Sequence, residues 1–257
     1  MRKLIILICL FITGVASAYA KSTGLQGYEE QLESIGFERI GAECFFLQYA
    51  KFLDKNYSVS YKSRRIIIRE GRIRNKNIEN YFYGENKYTV ERDGEWGGQF
   101  KVFNQKFGER ILINDVVRSV HKWYGKLIVF SGLAHLNPYG KIFTISDFDK
   151  SNPIVERLSL LSDSPELVIH LNSEQRREVQ YFLIVGTESI LKVNPHFESF
   201  DILYLDKRIN IMPNSWVLLD NNNLLLGIQG AVALVRFGGG DAELSFFVKH
   251  VGVTSSG

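Results

Sequence analysis

The chain has 257 residues, with 31 Lys and Arg against 28 Asp and Glu and a formal charge of +3. That length is ample for one large β domain or two small ones. The near balance of charge excludes the strong, clustered basic excess by which nucleic-acid binders are recognised.

Arg2 and Lys3 open the chain, and an apolar run from Leu4 to Val15 ends in the small-residue stretch Ala16-Ser17-Ala18-Tyr19-Ala20. This is the layout of a cleavable secretory signal over residues 1–20, cut ahead of Lys21, which places the mature protein in the periplasm or the medium. The apolar run is about a dozen residues, short of the roughly 20 needed to span a bilayer. A lipoprotein reading fails because Cys9 lies inside the run and follows Ile8. Removing Arg2 and Lys3 leaves 29 basic residues against 28 acidic, a net charge of about +1. Cys44 is then the one remaining cysteine, so no intramolecular disulfide forms. Beside Phe45 and Phe46 it reads as a small buried hydrophobe.

Residues 21–44 read as a helical lead-in, because Tyr28, Leu32 and Ile35 share one helical face and Gly36 is a stop signal. From residue 45 to 257, strand signals follow one another. They cover Phe45–Tyr49, Tyr57–Tyr61, Arg65–Arg69, Tyr88–Glu91, Phe100–Phe103, Arg110–Ile113, Lys126–Phe130, Lys141–Ile145 and Val155–Leu160. Leu167–Leu171, Phe182–Val185, Ile190–Val193, Ile202–Leu205, Trp216–Leu219, Leu224–Ile228, Ala231–Phe237 and Glu243–Val248 complete them. Turn residues separate the runs, as at Asn137-Pro138-Tyr139-Gly140, Gln229-Gly230 and Gly238-Gly239-Gly240-Asp241. The basic cluster from Lys62 to Lys76 surrounds Ile66-Ile67-Ile68 and reads as a solvated hairpin.

A strand–turn–strand unit recurs. Copies run from Tyr88 to Phe103, from Lys126 to Ile145, from Tyr181 to Val193 and from Leu224 to Val235. Comparable anchors at Thr89, Ile128, Leu183 and Leu225 stand 39, 55 and 42 residues apart, close to the roughly 40 to 50 of a four-stranded propeller blade. At these residues the chain resembles exported bacterial β-propellers. The resemblance implies an all-β, propeller-like fold of about five antiparallel blades, preceded by one short helix, and it says less about function because propellers host many activities.

Asp93-Gly94-Glu95-Trp96-Gly97-Gly98 is the sharpest local motif. Its glycines permit a tight turn, and an indole flanked by Asp93 and Glu95 suits stacking on a sugar ring while the acids bond its hydroxyls. The other physical account of the motif packs the indole on a neighbouring blade. Trp123 and His135 are expected on the same loop face. His121, His170, His196 and His250 follow no metal-ligand spacing and could meet only through the fold, so the other reading of His135 is a hydrogen-bonded structural histidine. Asp147-Phe148-Asp149 and Asp220-Asn221-Asn222-Asn223 lack the pattern of a calcium loop and read as turns.

The expectation is an exported, non-enzymatic binding protein that holds a protein or glycan partner at Asp93, Glu95, Trp96, Trp123 and His135, with an inhibitor or immunity protein as a subclass. It is expected to be a monomer without cofactor or metal, without nucleic acid, and without stable membrane insertion after signal cleavage. The rival expectation is a carbohydrate-active hydrolase or lyase, for which Asp93, Glu95, Asp115 and Asp163 are the acids near strand ends.

Overall fold

A computed structural model describes residues 27–48, 55–71, 77–134, 138–171, 181–205, 211–238 and 240–249. The expected signal segment lies outside them. Among the described residues, no helix is long and apolar enough to cross a membrane.

Residues 27–34 form helix α1, followed by strand β1 (Phe37–Ile40) and helix α2 (Ala42–Gln48). Strands β2 (Tyr57–Lys62) and β3 (Arg65–Glu70) make a hairpin. Sheet I then runs through β4 (Ile78–Tyr83), β5 (Asn86–Arg92), β6 (Gly98–Asn104) and β7 (Gly108–Ile113). Sheet II comprises β8 (Val117–Trp123), β9 (Lys126–Leu133), β10 (Tyr139–Ser146) and β11 (Ile154–Leu161). In sheet III come β12 (Leu167–Leu171), β13 (Tyr181–Val185), β14 (Ser189–Val193) and β15 (Ser199–Tyr204). Sheet IV contains β16 (Ser215–Leu218), β17 (Asn223–Gly227), β18 (Val232–Gly238) and β19 (Asp241–Lys249), with β1 pairing outside β19 as a fifth strand. Every sheet follows chain order apart from that added strand, so the chain is all-β and its sheets are antiparallel meanders.

The described residues divide into two compact units. One holds residues 27–48, 55–71, 215–234 and 244–249, and the other holds 77–134, 138–171, 181–205, 211–214, 235–238 and 240–243. In the first, Leu32 of α1, Phe37 of β1, Tyr57, Val59 and Ile66 of the hairpin, and Leu225, Val232 and Phe247 of sheet IV share one core. In the second, strand β9 of sheet II is buried on both faces. Leu127 and Val129 of β9 pack with Tyr88, Val90, Phe100 and Val102 of sheet I, while Ile128 and Phe130 pack with Phe182, Ile184 and Leu191 of sheet III. This double burial is why β9 reads as an unbroken apolar run rather than an alternating one.

Glycines set the joints between sheets. A Cβ on Gly98 of β6 would stand 2.6 Å from Glu91 O and 3.2 Å from Asp115 O, in the segment entering sheet II. One on Gly140 of β10 would stand 2.5 Å from Asp163 O, in the segment entering sheet III. Gly227 of β17 would meet the Tyr57 carbonyl at the start of the hairpin. At each position only glycine lets two backbones approach this closely.

Several sequence expectations are corrected. Of the expected strand Phe45–Tyr49, the described part, 45–48, is helical: Phe45 donates its N–H to Gly41 O at 2.8 Å and lies in α2. The helix buries Phe45 against Phe246, with ring centroids 4.5 Å apart, and leaves Cys44 exposed rather than buried. Two helices therefore precede the sheets instead of one, and the expected boundary at residue 45 falls inside α2. Strands β1, β4 and β8 carry no clear pattern in the sequence. β4 is half-exposed along its length, and a bulge between Val117 and Ser119 breaks the alternation of β8.

Candidate binding face

Trp96 is 92% exposed. It closes a single 3₁₀ turn, Gly94–Trp96, between β5 and β6. Asp93 donates its N–H to Gly97 O at 2.9 Å, and Trp96 donates its own to Asp93 O at 3.3 Å. Gly94 (φ 66°) and Gly97 (φ 114°) take the left-handed conformations that the turn requires. The indole is thus presented outward from a braced turn rather than folded onto the sheet. Asp93 is exposed beside it, and Glu95 stands in the same turn.

The turn lies at the end of sheet I where the chain enters sheet II. Arg92, at the end of β5, donates from Nε to Val117 O at 2.7 Å and from Nη2 to Arg118 O at 3.2 Å, while Nη1 meets Glu79 at 3.0 Å. Arg118 repeats the arrangement one sheet further on. Its Nε donates to Gly132 O at 3.1 Å, and its Nη2 pairs with Glu166 at 3.0 Å, just ahead of β12. These two guanidiniums tie successive sheets together, and no sequence motif marks them.

Trp123 does not join Trp96. It ends β8 at the opposite end of sheet II and is only 6% exposed, edge-on to Phe182 at 5.1 Å and Phe197 at 5.2 Å. Its expected place on a loop face gives way to one in the core. His135, between β9 and β10, lies outside the described residues.

Asp115 and Asp163 are occupied by the fold. Asp115 accepts from Val116 N–H (2.8 Å), Tyr139 hydroxyl (2.9 Å), Ser131 hydroxyl (3.2 Å) and Lys141 ammonium (2.8 Å). Burial pushes its carboxyl up, but the Lys141, Tyr139 and Val116 hydrogen bonds outweigh burial and hold it below the usual range. Burial and the Asp115 carboxylate raise the Tyr139 hydroxyl to about 12. Asp163 accepts from Ser164 N–H, Thr187 hydroxyl, Glu188 N–H, Ser189 N–H and Ser189 hydroxyl at 2.6 to 3.2 Å. Both acids lock a connecting segment onto the central strands of the sheet it enters. The two suspected calcium loops are turns as well. Asp147 adopts φ 51°, and Asp220 Oδ1 accepts from Asn222 N–H at 2.8 Å.

No family profile matches the chain, and no curated protein matches it. Among solved structures, one from a structural and mechanistic study of two prolyl endopeptidases is similar over 87% of this chain, with 12% identity and a TM-score of 0.31. The chain spans 35% of that protein's length.

Proposed function

We propose that this chain is an exported, non-enzymatic binding protein of propeller-like architecture, holding a protein or glycan partner at the end of sheet I that presents Trp96. One observation carries the reading: a fully presented indole on a turn fixed by its own backbone bonds. Exposing a large aromatic side chain costs solvation, whereas a pre-set aromatic anchor with an acidic neighbour is what a binding hot spot needs. A propeller-like succession of sheets, each closing on the next, fits the joints inside each unit. Gly227 of sheet IV approaches the entry of the hairpin as Gly98 of sheet I approaches the entry of sheet II, so the last sheet stands to the first hairpin as one sheet stands to the next. The pairing of β1 with β19 agrees with such closure.

The test is Trp96→Ala, with melting temperature and partner binding measured on the same preparation. Binding is assayed on a glycan array and by capture from the envelope fraction. Loss of binding with the melting point within about 1 °C supports the reading. Unchanged binding, or a fall of many degrees, removes this turn as the site.

A further inference from the structure

Strands β2 and β3 pair so that two rows of side chains alternate across the hairpin. Tyr57, Val59 and Ile66 of one row enter the core shared with α1 and sheet IV, and Tyr61 and Ile68 pack against it. The other row sets Ser58 opposite Arg69, Ser60 opposite Ile67 and Lys62 opposite Arg65. Its three cations are exposed, and its two serines and Ile67 are half-buried. No acid stands in that row, because Glu70, the carboxylate of the hairpin, lies opposite Tyr57 in the first. Among the described residues, no carboxylate pairs with Lys62, Arg64, Arg65 or Arg69.

Two features of the tip work against stability. Lys62 and Arg65 are like charges directly opposite each other, an unfavourable cross-strand pair. Between them, Ser63 (φ 50°) and Arg64 (φ 61°) form a two-residue loop in the left-handed region, where Asn-Gly is the unstrained choice. Strain and repulsion kept together at one exposed point indicate a ligand whose negative charge offsets them.

We infer that the outward row of the β2–β3 hairpin is a binding track for a linear acidic glycan, with Lys62, Arg64 and Arg65 holding one carboxylate at the tip, Arg69 a second at the base, and Ser60 bonding a sugar hydroxyl between them. The dimensions favour this occupant. Arg65 and Arg69 stand four residues apart on one strand, about 14 Å at about 3.4 Å per residue, and the track is two strands, about 5 Å, wide. That is the footprint of one extended polymer, narrower than the plane a bilayer presents. A nucleic-acid strand calls for an aromatic platform, and the row has none. Addition of an acidic peptide as a strand along β3 is impeded, because Gln31 Oε1 already accepts the N–H of Ile66 at 3.2 Å. A guanidinium fork matches a planar carboxylate, and a serine hydroxyl both donates to and accepts from a sugar hydroxyl. None of these residues belongs to the Trp96 turn.

Binding of the full chain to immobilised polygalacturonate at about 0.1 M salt tests this, with neutral dextran, polyglutamate and phosphatidylglycerol vesicles as comparators. The expected result is saturable binding to polygalacturonate in preference to all three. The triple variant Lys62→Gln, Arg65→Gln, Arg69→Gln should bind roughly 10-fold more weakly, the loss expected for three exposed ion pairs, with its melting point held or raised. No binding to polygalacturonate, undiminished binding by the triple variant, or stronger attachment to any comparator overturns the proposal. Should the triple variant fail to fold, Arg64→Gly decides. Weaker binding at an unchanged or higher melting point supports the track, and unchanged binding or a lower melting point refutes it.

Discussion

Replacing Asp163 should separate what this buried acid does for the fold from any part in chemistry. Its side chain is almost wholly buried, and its two oxygens receive three backbone N–H groups, from Ser164, Glu188 and Ser189, along with the hydroxyls of Thr187 and Ser189. Asp163→Ala leaves all three N–H groups without acceptors. At about 1–3 kcal/mol for each buried donor stranded, the loss reaches at least about 3 kcal/mol. Asp163→Asn keeps one oxygen. The amide sits best with that oxygen toward Glu188 and Ser189 and its NH₂ toward Thr187, whose hydroxyl can turn to accept. Ser164 N–H is then the single stranded donor, and the cost falls to about 1–3 kcal/mol. Urea unfolding at pH 7, followed by tryptophan fluorescence, measures both variants. A loss below about 1 kcal/mol in the alanine variant, or equal losses in the two, would refute the assignment of Asp163 as a backbone organiser.

Other outcomes follow from the same geometry. Trp123→Ala should cost about 3–5 kcal/mol, since it opens a cavity among Phe182, Phe197 and His170, and a melting point close to that of the unmodified chain would contradict its core placement. The Asp115 carboxyl, held below its usual range, contributes stability at pH values above the unfolded pKa of about 3.9 and gives it up as pH falls through the folded value. Asp115→Asn should therefore flatten the dependence of the urea midpoint between pH 5 and pH 3, and an unchanged slope would count against the Lys141 pairing. Export should leave a mature N-terminus at or near Lys21, read by sequencing protein recovered from the envelope or medium. Recovery of a membrane-bound chain beginning at Met1 would refute cleavage.

The sequence was most legible where burial was most complete. Thr89, Ile128, Leu183 and Leu225, the four repeat anchors, fall in β5, β9, β13 and β17, the second strand of each sheet, which is flanked by strands on both edges. The first strands of sheets I and II were harder to see, whereas β12 and β16 were read. β4 alternates half-exposed and exposed residues, and the bulge in β8 moves Val117 and Ser119 out of simple period-two register. Phe45-Phe46 read as β because aromatic pairs favour strands, yet the run is too short to fix a period, and packing on Phe246 decided for helix. At the candidate face, the glycine spacing announced a turn at Trp96. No local rule separates an indole that ends a buried strand, such as Trp123, from one that caps a hairpin. Asp115 and Asp163 were visible as acids near strand ends, but their bonding partners lie 16 to 26 residues away, apart from the adjacent N–H groups of Val116 and Ser164.

The union of β1 with β19 sets an order of events for the growing chain. Phe37 lies opposite Lys249, and Ile40 lies opposite Phe246, so a strand made among the first waits for one made more than 200 residues later. Sheets I to III each close on contacts local in sequence and are complete before β19 emerges. A ribosome stalled ahead of Asp241 would thus expose a chain with three finished sheets and a bare β1, whose Phe37 and Ile40 lack their strand partners. For this protein, arrest near the end of synthesis is the more hazardous accident, because what it strands is an edge ready to pair with a stranger.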